Sequence, residues 1–143
     1  MGKTILVIDG PNLNMLGIRQ PEVYGRTTYE GLKALVSAEA ERLGVRVDFF
    51  QSNHEGALVD AIQQAYFDGV DGIVINPGAY THTSVALLDA VQSVGIPTVE
   101  VHISDTSVRE EFRKISYIRA ACVATIQGKG TDGYLEALRL LVK

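Results

Sequence analysis

The stretch Thr4-Ile5-Leu6-Val7-Ile8-Asp9-Gly10-Pro11-Asn12 sets the fold class. Thr4 to Ile8 are apolar or β-branched without alternation, the pattern of a strand covered on both faces, as in a parallel sheet held between helices. Asp9-Gly10-Pro11-Asn12 then ends the strand abruptly. From Gly10 to Gly25 the chain carries two prolines, three glycines and two asparagines, has no regular period, and reads as loop. A strand-to-helix turn needs only about 2–6 residues, so a connection of this length points to a lid or binding loop. Arg19 and Tyr24 ride on it. They are either a solvated charge and a packing aromatic, or parts of a site.

Outward from that strand the pattern repeats. Thr27 with Glu30 three residues on predicts a helix start, Leu32, Leu35, Val36, Ala40 and Leu43 follow at helical spacing, and Gly44 closes the helix. A strand is expected over Val45 to Gln51. Ser52 with Glu55 predicts a second helix start, and that helix runs to about Phe67 before Asp68-Gly69. Gly72 to Asn76 reads as a third buried strand, Ser84 to Val94 as a helix, Thr98 to His102 as a fourth strand. A short polar helix is expected at about Val108 to Ser116, then a fifth strand, Val123 to Gln127, and a last helix, about Thr131 to Val142. Five alternations of strand and helix predict a doubly wound α/β domain, with the flavodoxin-like strand order 2-1-3-4-5.

A chain of 143 residues, 46% hydrophobic and 21% charged, suits one domain over 1–143 with a single core. No apolar run approaches the ~20 residues of a membrane span. The chain enters its first strand at Thr4, which leaves no room for a signal peptide. Cys122 is the only cysteine, so no internal disulfide can form and a reducing cytoplasm is the expected location. A net charge of −4 argues against nucleic acid or an anionic membrane as partner.

The two ends of the predicted sheet differ in chemistry. Strand entries are plain, whereas the exits carry Asn12, then Asn53 and His54, then Asn76 and His82, then His102 and Ser104. All three histidines lie at the carboxyl end, where open α/β sheets bind ligands. Gly128-Lys129-Gly130-Thr131-Asp132-Gly133 matches a dinucleotide fingerprint in letters only. Ten residues follow it, too few for the closing βαβ unit, and a tight strand-to-helix turn is expected there instead. The histidines lack the paired spacing of zinc ligands, so no metal is expected. A phosphoryl-accepting receiver would want Asp where Asn76 stands, and Lys129, the only lysine near the polar end, sits in a glycine turn that suits no Schiff base. Tyr, His, Arg, Asn and backbone N–H groups remain. They suit proton transfer next to a carbonyl on an anionic small molecule.

Six motifs then become specific: Asp9 to Gly17 with Arg19 and Tyr24-Gly25; Gln51-Ser52-Asn53-His54-Glu55-Gly56; Asn76 to Ser84; Glu100 to Ser104; Arg109 to Arg113; and Gly128-x-Gly130-x-x-Gly133-Tyr134. In order, and spanning nearly the whole chain, they resemble the type II 3-dehydroquinate dehydratases. The resemblance implies a flavodoxin-like fold and a cofactor-free lyase. Its reaction would dehydrate 3-dehydroquinate to 3-dehydroshikimate through an enolate, in the shikimate pathway to aromatic amino acids or in quinate metabolism. It further implies Tyr24 as the base, Arg19 favouring tyrosinate, Asn12 holding a water at the enolate, and His102 as the acid. Asn76, His82 and Arg113 would bind the ring, and the backbone N–H groups of Ile103 and Ser104 the carboxylate. Asp89 would enter from a neighbouring subunit of a homo-oligomer, a dodecamer built from trimers. A free tyrosine has a pKa of about 10, so a tyrosine base needs a nearby cation, and Arg19 is on the same loop.

Strand geometry adds Glu100, on the same face of the fourth strand as Thr98 and His102. It is expected either to pair with an arginine or to hold a network that orients His102 and favours its charged form. The chain departs from the family pattern in two places. Asp105 stands where Asn is usual, bringing negative charge close to the anion site, and Lys114-Ile115 replaces a usual His-His, which bears on the packing of the short helix. The alternative class is a non-catalytic carboxylate-binding module on the same fold. Such a binder needs no base, so Tyr24 and Arg19 together favour the enzyme.

Overall fold

Five parallel strands make one sheet in the order β2-β1-β3-β4-β5, as the alternation of elements predicts. They are β1 (Thr4–Asp9), β2 (Arg46–Gln51), β3 (Gly72–Asn76), β4 (Thr98–His102) and β5 (Ala124–Gln127). The helices between them are α1 (Pro21–Tyr24), α2 (Tyr29–Leu43), α3 (Glu55–Phe67), α4 (Val85–Val94) and α5 (Asp132–Val142). This computed structural model describes residues 2–24 and 26–143, with Tyr24 described by its backbone alone. The Tyr24 side chain and Gly25, both in the opening motif, lie outside the described residues.

Alternation along each strand divides the core in two. Ile5, Val7, Val74, Val99 and Val101 pack against Leu32 and Val36 of α2 and Ala137 and Leu138 of α5. Ile8, Ile73 and Ile75 face the other way, onto Leu58 and Ile62 of α3 and Leu87 and Val91 of α4. Both faces of the central strands are thereby dry, which is why β1 and β3 show no polar alternation. The same alternation continues into the polar strand ends. Asp9 and Asn76 face α2 and α5, while Glu100 and His102 face the opposite layer.

Local expectations are corrected at four places. The cap of α2 is Thr28, whose Oγ1 accepts from Gly31 N at 3.0 Å, rather than Thr27. Glu30 pairs with Lys33 at 3.0 Å instead of completing a capping box. Ser52 closes a turn, its Oγ accepting from His54 N at 3.0 Å, and α3 starts at Glu55 without a side-chain cap. The connection from Gly10 holds a 3-10 turn (Leu13–Met15) and the short α1, because Leu13 and Leu16 are drawn into the core. No α-helix forms over 108–116. Three 3-10 turns, Thr106–Val108, Glu111–Lys114 and Ile118–Ala121, take its place. Val108, Phe112 and Ile115 all stay exposed, so no apolar stripe anchors a longer helix there.

The exits of β1 and β3 run against each other at the carboxyl end. Gly10 N donates to Asn76 O at 2.8 Å, and a Cβ at Gly10 would stand 2.4 Å from the Pro77 carbonyl oxygen. Gly78 turns away with a φ of +62°, a conformation that favours glycine, and it packs on Pro11. Gly10→Ala forces these two backbones apart. It is expected to cost about 1–3 kcal/mol, read as a lower denaturation midpoint; an unchanged midpoint would show that the exits can separate freely.

Candidate active site

Loops from the strand exits surround a cleft of about 250 Å³ at the carboxyl end of the sheet. The first loop is tied down from the second exit. Asn12 adopts the left-handed region at φ 72°, which asparagine tolerates, and its N–H donates to Asn53 Oδ1 at 3.0 Å. Gln51 Nε2 donates to Gly10 O at 3.1 Å, and Tyr80 OH donates to Asn53 O at 2.8 Å. These bonds aim Asn12 and, further on, Arg19 into the cleft, which both residues line.

The third exit brings Asn76 and His82. Asn76 is buried, its Nδ2 donating to Tyr134 OH at 2.9 Å and its Oδ1 accepting from Gly78 N at 3.1 Å. His82 Nδ1 lies 2.6 Å from the carbonyl oxygen of Ile115. A carbonyl only accepts, so Nδ1 carries the proton and Nε2 of the neutral ring is an acceptor. Partial burial, together with the positive charges of His102 and Arg113, lowers the pKa of His82 and favours that neutral form.

The fourth exit supplies His102, Ile103 and Ser104, all lining the cleft. His102 Nε2 lies 2.5 Å from Glu100 Oε2. Glu100 has no exposed surface, yet five residues donate to its carboxylate. They are His102, Arg119 through two nitrogens (3.1 and 3.2 Å), Ser116 (2.8 Å), Thr81 (3.2 Å) and Thr125 (3.2 Å). Burial alone would raise its pKa, but the bonds from His102, Arg119 and Ser116 outweigh it and hold the value at about 2. The carboxylate is therefore ionised, pairs with an arginine and holds His102 by one ring nitrogen. The pairing with an arginine is present, and Nδ1 of His102 is the nitrogen that Glu100 leaves unengaged.

Arg113 lines the cleft beside Arg109. Its guanidinium is held by Glu110 and lies 5.0 Å from the Phe112 ring centroid. Arg109 Nη1 donates to Ser104 Oγ at 3.3 Å. Asp105 does not spend its charge on the cleft: Oδ1 accepts from Ser107 N and Oγ at 2.9 and 2.6 Å, and those bonds hold its pKa low.

Not every expected residue arrives. His54 is exposed at the second exit and does not line the cleft; Asp89, expected to serve a neighbouring subunit's site, is exposed on α4. Lys129 pairs with Glu136 at 2.7 Å on the surface. Among the described residues no three His, Cys, Asp or Glu side chains gather as metal ligands, and no helix is long and apolar enough to cross a membrane. Several neighbours were not foreseen: Thr81, Ser116, Arg119 and Thr125 around Glu100, and Tyr134 beneath Asn76. Tyr134 closes the last quoted motif, and that was its only signal in the sequence.

A family model for class II dehydroquinase matches residues 3–142. The chain belongs to that family. It is 54% identical over 139 residues to the 3-dehydroquinate dehydratase of Caldicellulosiruptor bescii, spanning 97% of this chain and 96% of that protein. It is 55% identical over 141 residues to that of Corynebacterium glutamicum, spanning 99% and 96%. The crystal structure of the type II dehydroquinase from Butyrivibrio crossotus superposes with a TM-score of 0.98 at 50% identity, covering 99% of both chains. The family relation and the strand order agree with what the motifs implied.

Glu100→Gln keeps the shape and removes the charge, leaving Arg119 facing a neutral amide. It is expected to lower stability at pH 7 by about 3 kcal/mol. A carboxylate held at about 2 contributes fully above its unfolded value near 4.3, and that contribution disappears as pH falls toward 2. Denaturant unfolding should therefore show the gap between wild type and variant shrinking below about pH 4.5; a gap independent of pH would contradict the ionised assignment.

Proposed function

We propose that this chain, a single catalytic domain over 1–143, dehydrates 3-dehydroquinate to 3-dehydroshikimate. The observation that carries this is one cleft lined by Asn12, Arg19, Asn76, His82, His102 and Arg113, in a chain that the class II dehydroquinase model matches over residues 3–142.

In this mechanism Tyr24 takes the proton α to the ketone, and the electrons of that C–H bond pass to the carbonyl oxygen as an enolate. Arg19, on the same loop, favours tyrosinate and offsets the developing charge. A water held by Asn12 donates to the enolate oxygen. When the enolate collapses, the carbon–oxygen bond to the hydroxyl β to the ketone breaks on the opposite face. His102 protonates the departing hydroxyl, which leaves as water. Glu100 orients that histidine and favours its charged form. The neutral His82 accepts from a ring hydroxyl at Nε2, while Asn76 and Arg113 orient the ring. The N–H groups of Ile103 and Ser104, just past the end of β4, take the substrate carboxylate. Asp89 completes the site from a neighbouring subunit, in a dodecamer built from trimers working in the cytoplasm. The pathway is biosynthesis of aromatic compounds through shikimate, or quinate breakdown.

Incubating the protein with 3-dehydroquinate should produce the ultraviolet absorbance of a conjugated enone, undiminished by chelator or borohydride. Tyr24→Phe should lower turnover at least a hundredfold while leaving product binding within several-fold, because only the proton acceptor is lost. Tight binding without any absorbance would instead favour the carboxylate-binding module. In Glu100→Gln the anion beside His102 is gone, and the alkaline limb of the rate profile should move to lower pH; an unmoved limb with unchanged turnover would confine Glu100 to fold stability.

A further inference from the structure

One buried polar chain meets the mechanism above only at its last member, Asn76. Asp9 ends β1, Asn76 ends β3, and the two stand abreast in the sheet. Tyr134, in the first turn of α5, lies against both and has no exposed surface. Its hydroxyl donates to Asp9 Oδ1 at 2.6 Å and accepts from Asn76 Nδ2 at 2.9 Å. A phenol has one proton. Given to Asp9, it leaves only lone pairs for Asn76, so the amide nitrogen must face Tyr134. The other end of the amide agrees: the Gly78 N–H can only donate, and it meets Oδ1 at 3.1 Å. Two constraints from different elements thus fix the amide the same way round. A flipped amide would oppose donor to donor at Gly78 and leave a buried group unpaired. One N–H and a lone pair of Oδ1 then remain for the cleft that Asn76 lines.

We propose that Asp9 and Tyr134 are positioning residues that act through Asn76, fixing which edge of its amide the cleft offers and so which ring hydroxyl it engages. The relay rests on the functional reading above only for the identity of the ring. Half-buried Tyr29 lies near Asp9, while Asp9 Oδ2 has no hydrogen-bond partner. Tyr134 is therefore the bond that ties Asp9 to the cleft.

A double-mutant cycle tests it. Tyr134→Phe and Asp9→Ala are each measured on 3-dehydroquinate in the wild-type and in the Asn76→Ala background. In the wild-type background each should lower kcat/KM about tenfold or more, mainly by raising KM. In the Asn76→Ala background neither should lower it by more than about twofold further. Equal losses in both backgrounds would mean that they merely support the fold, and would overturn the relay. A second readout needs no turnover: the side-chain amide resonances of Asn76 in 15N-labelled protein, identified by their absence from Asn76→Ala. In Tyr134→Phe, or in Asp9→Ala should the former not fold, these resonances should shift and exchange faster with solvent. Unchanged resonances overturn the relay. A wild-type chain inert toward 3-dehydroquinate would instead sink the activity, and the amide resonances would still decide the relay.

Discussion

The Glu100 carboxylate is the constraint on which the active end of this fold depends. A full negative charge with no exposed surface, on an interior strand, is tolerated only because donors converge on it from several directions. Those donors come from β4 itself (His102), the turn after β3 (Thr81), the segments before β5 (Ser116, Arg119) and β5 (Thr125). Satisfying one carboxylate therefore fixes where the chain between β4 and β5 must lie. Within it the stretch 108–115 has little apolar anchorage of its own, since Val108, Phe112 and Ile115 are all exposed. It carries Arg109 and Arg113 to the rim of the cleft, and its Ile115 carbonyl sets the tautomer of His82. The chemistry of two histidines is in this sense downstream of one buried charge.

The fold was legible because the strong signals were local. Unbroken apolar runs at β1 and β3, helix-ending glycines at 44 and 95, and polar exits after each strand all follow from burial and backbone geometry within a few residues. The segment 108–116 was misjudged for the opposite reason. Its conformation is decided by remote partners, the Glu100 carboxylate and the turn after β3, and nothing in its own spacing states that. The helix starts at Thr27 and Ser52 were misplaced or overread for a similar reason. Several hydroxyls in short succession satisfy the capping pattern, and the one that caps is chosen by how the loop before it packs.

Among the site residues, those standing next to a glycine or proline at a strand exit were readable, as with Asn12 and Asn76. The partners that define their chemistry were not. Arg119 and Thr125 lie 19 and 25 residues from Glu100 along the chain, and Tyr134 lies 125 from Asp9. No periodicity carries pairings of that range. Even the departure at Asp105 changes meaning once its surroundings are known, because a charge that the sequence sets beside an anion site is absorbed by Ser107.

The two polar clusters sit on opposite faces of the sheet, and burial acts on them in opposite directions. Glu100 is surrounded by donors, so its charged form is the stable one and its pKa is held at about 2. Asp9 has the same depth, but its bond from the neutral hydroxyl of Tyr134 does not offset the loss of water, and its pKa rises to about 7. A carboxyl whose native value stands above its unfolded value near 3.9 favours the folded state most below that value, and the advantage is lost as pH rises toward 7. Glu100 loses its contribution on the acid side and Asp9 on the neutral side. The difference lies in their neighbours: an arginine and a histidine can supply charge to Glu100, whereas Tyr134 can supply only a dipole to Asp9. Asn76 leans on Tyr134 and His102 on Glu100, so a carboxyl of each kind stands behind one side of the cleft.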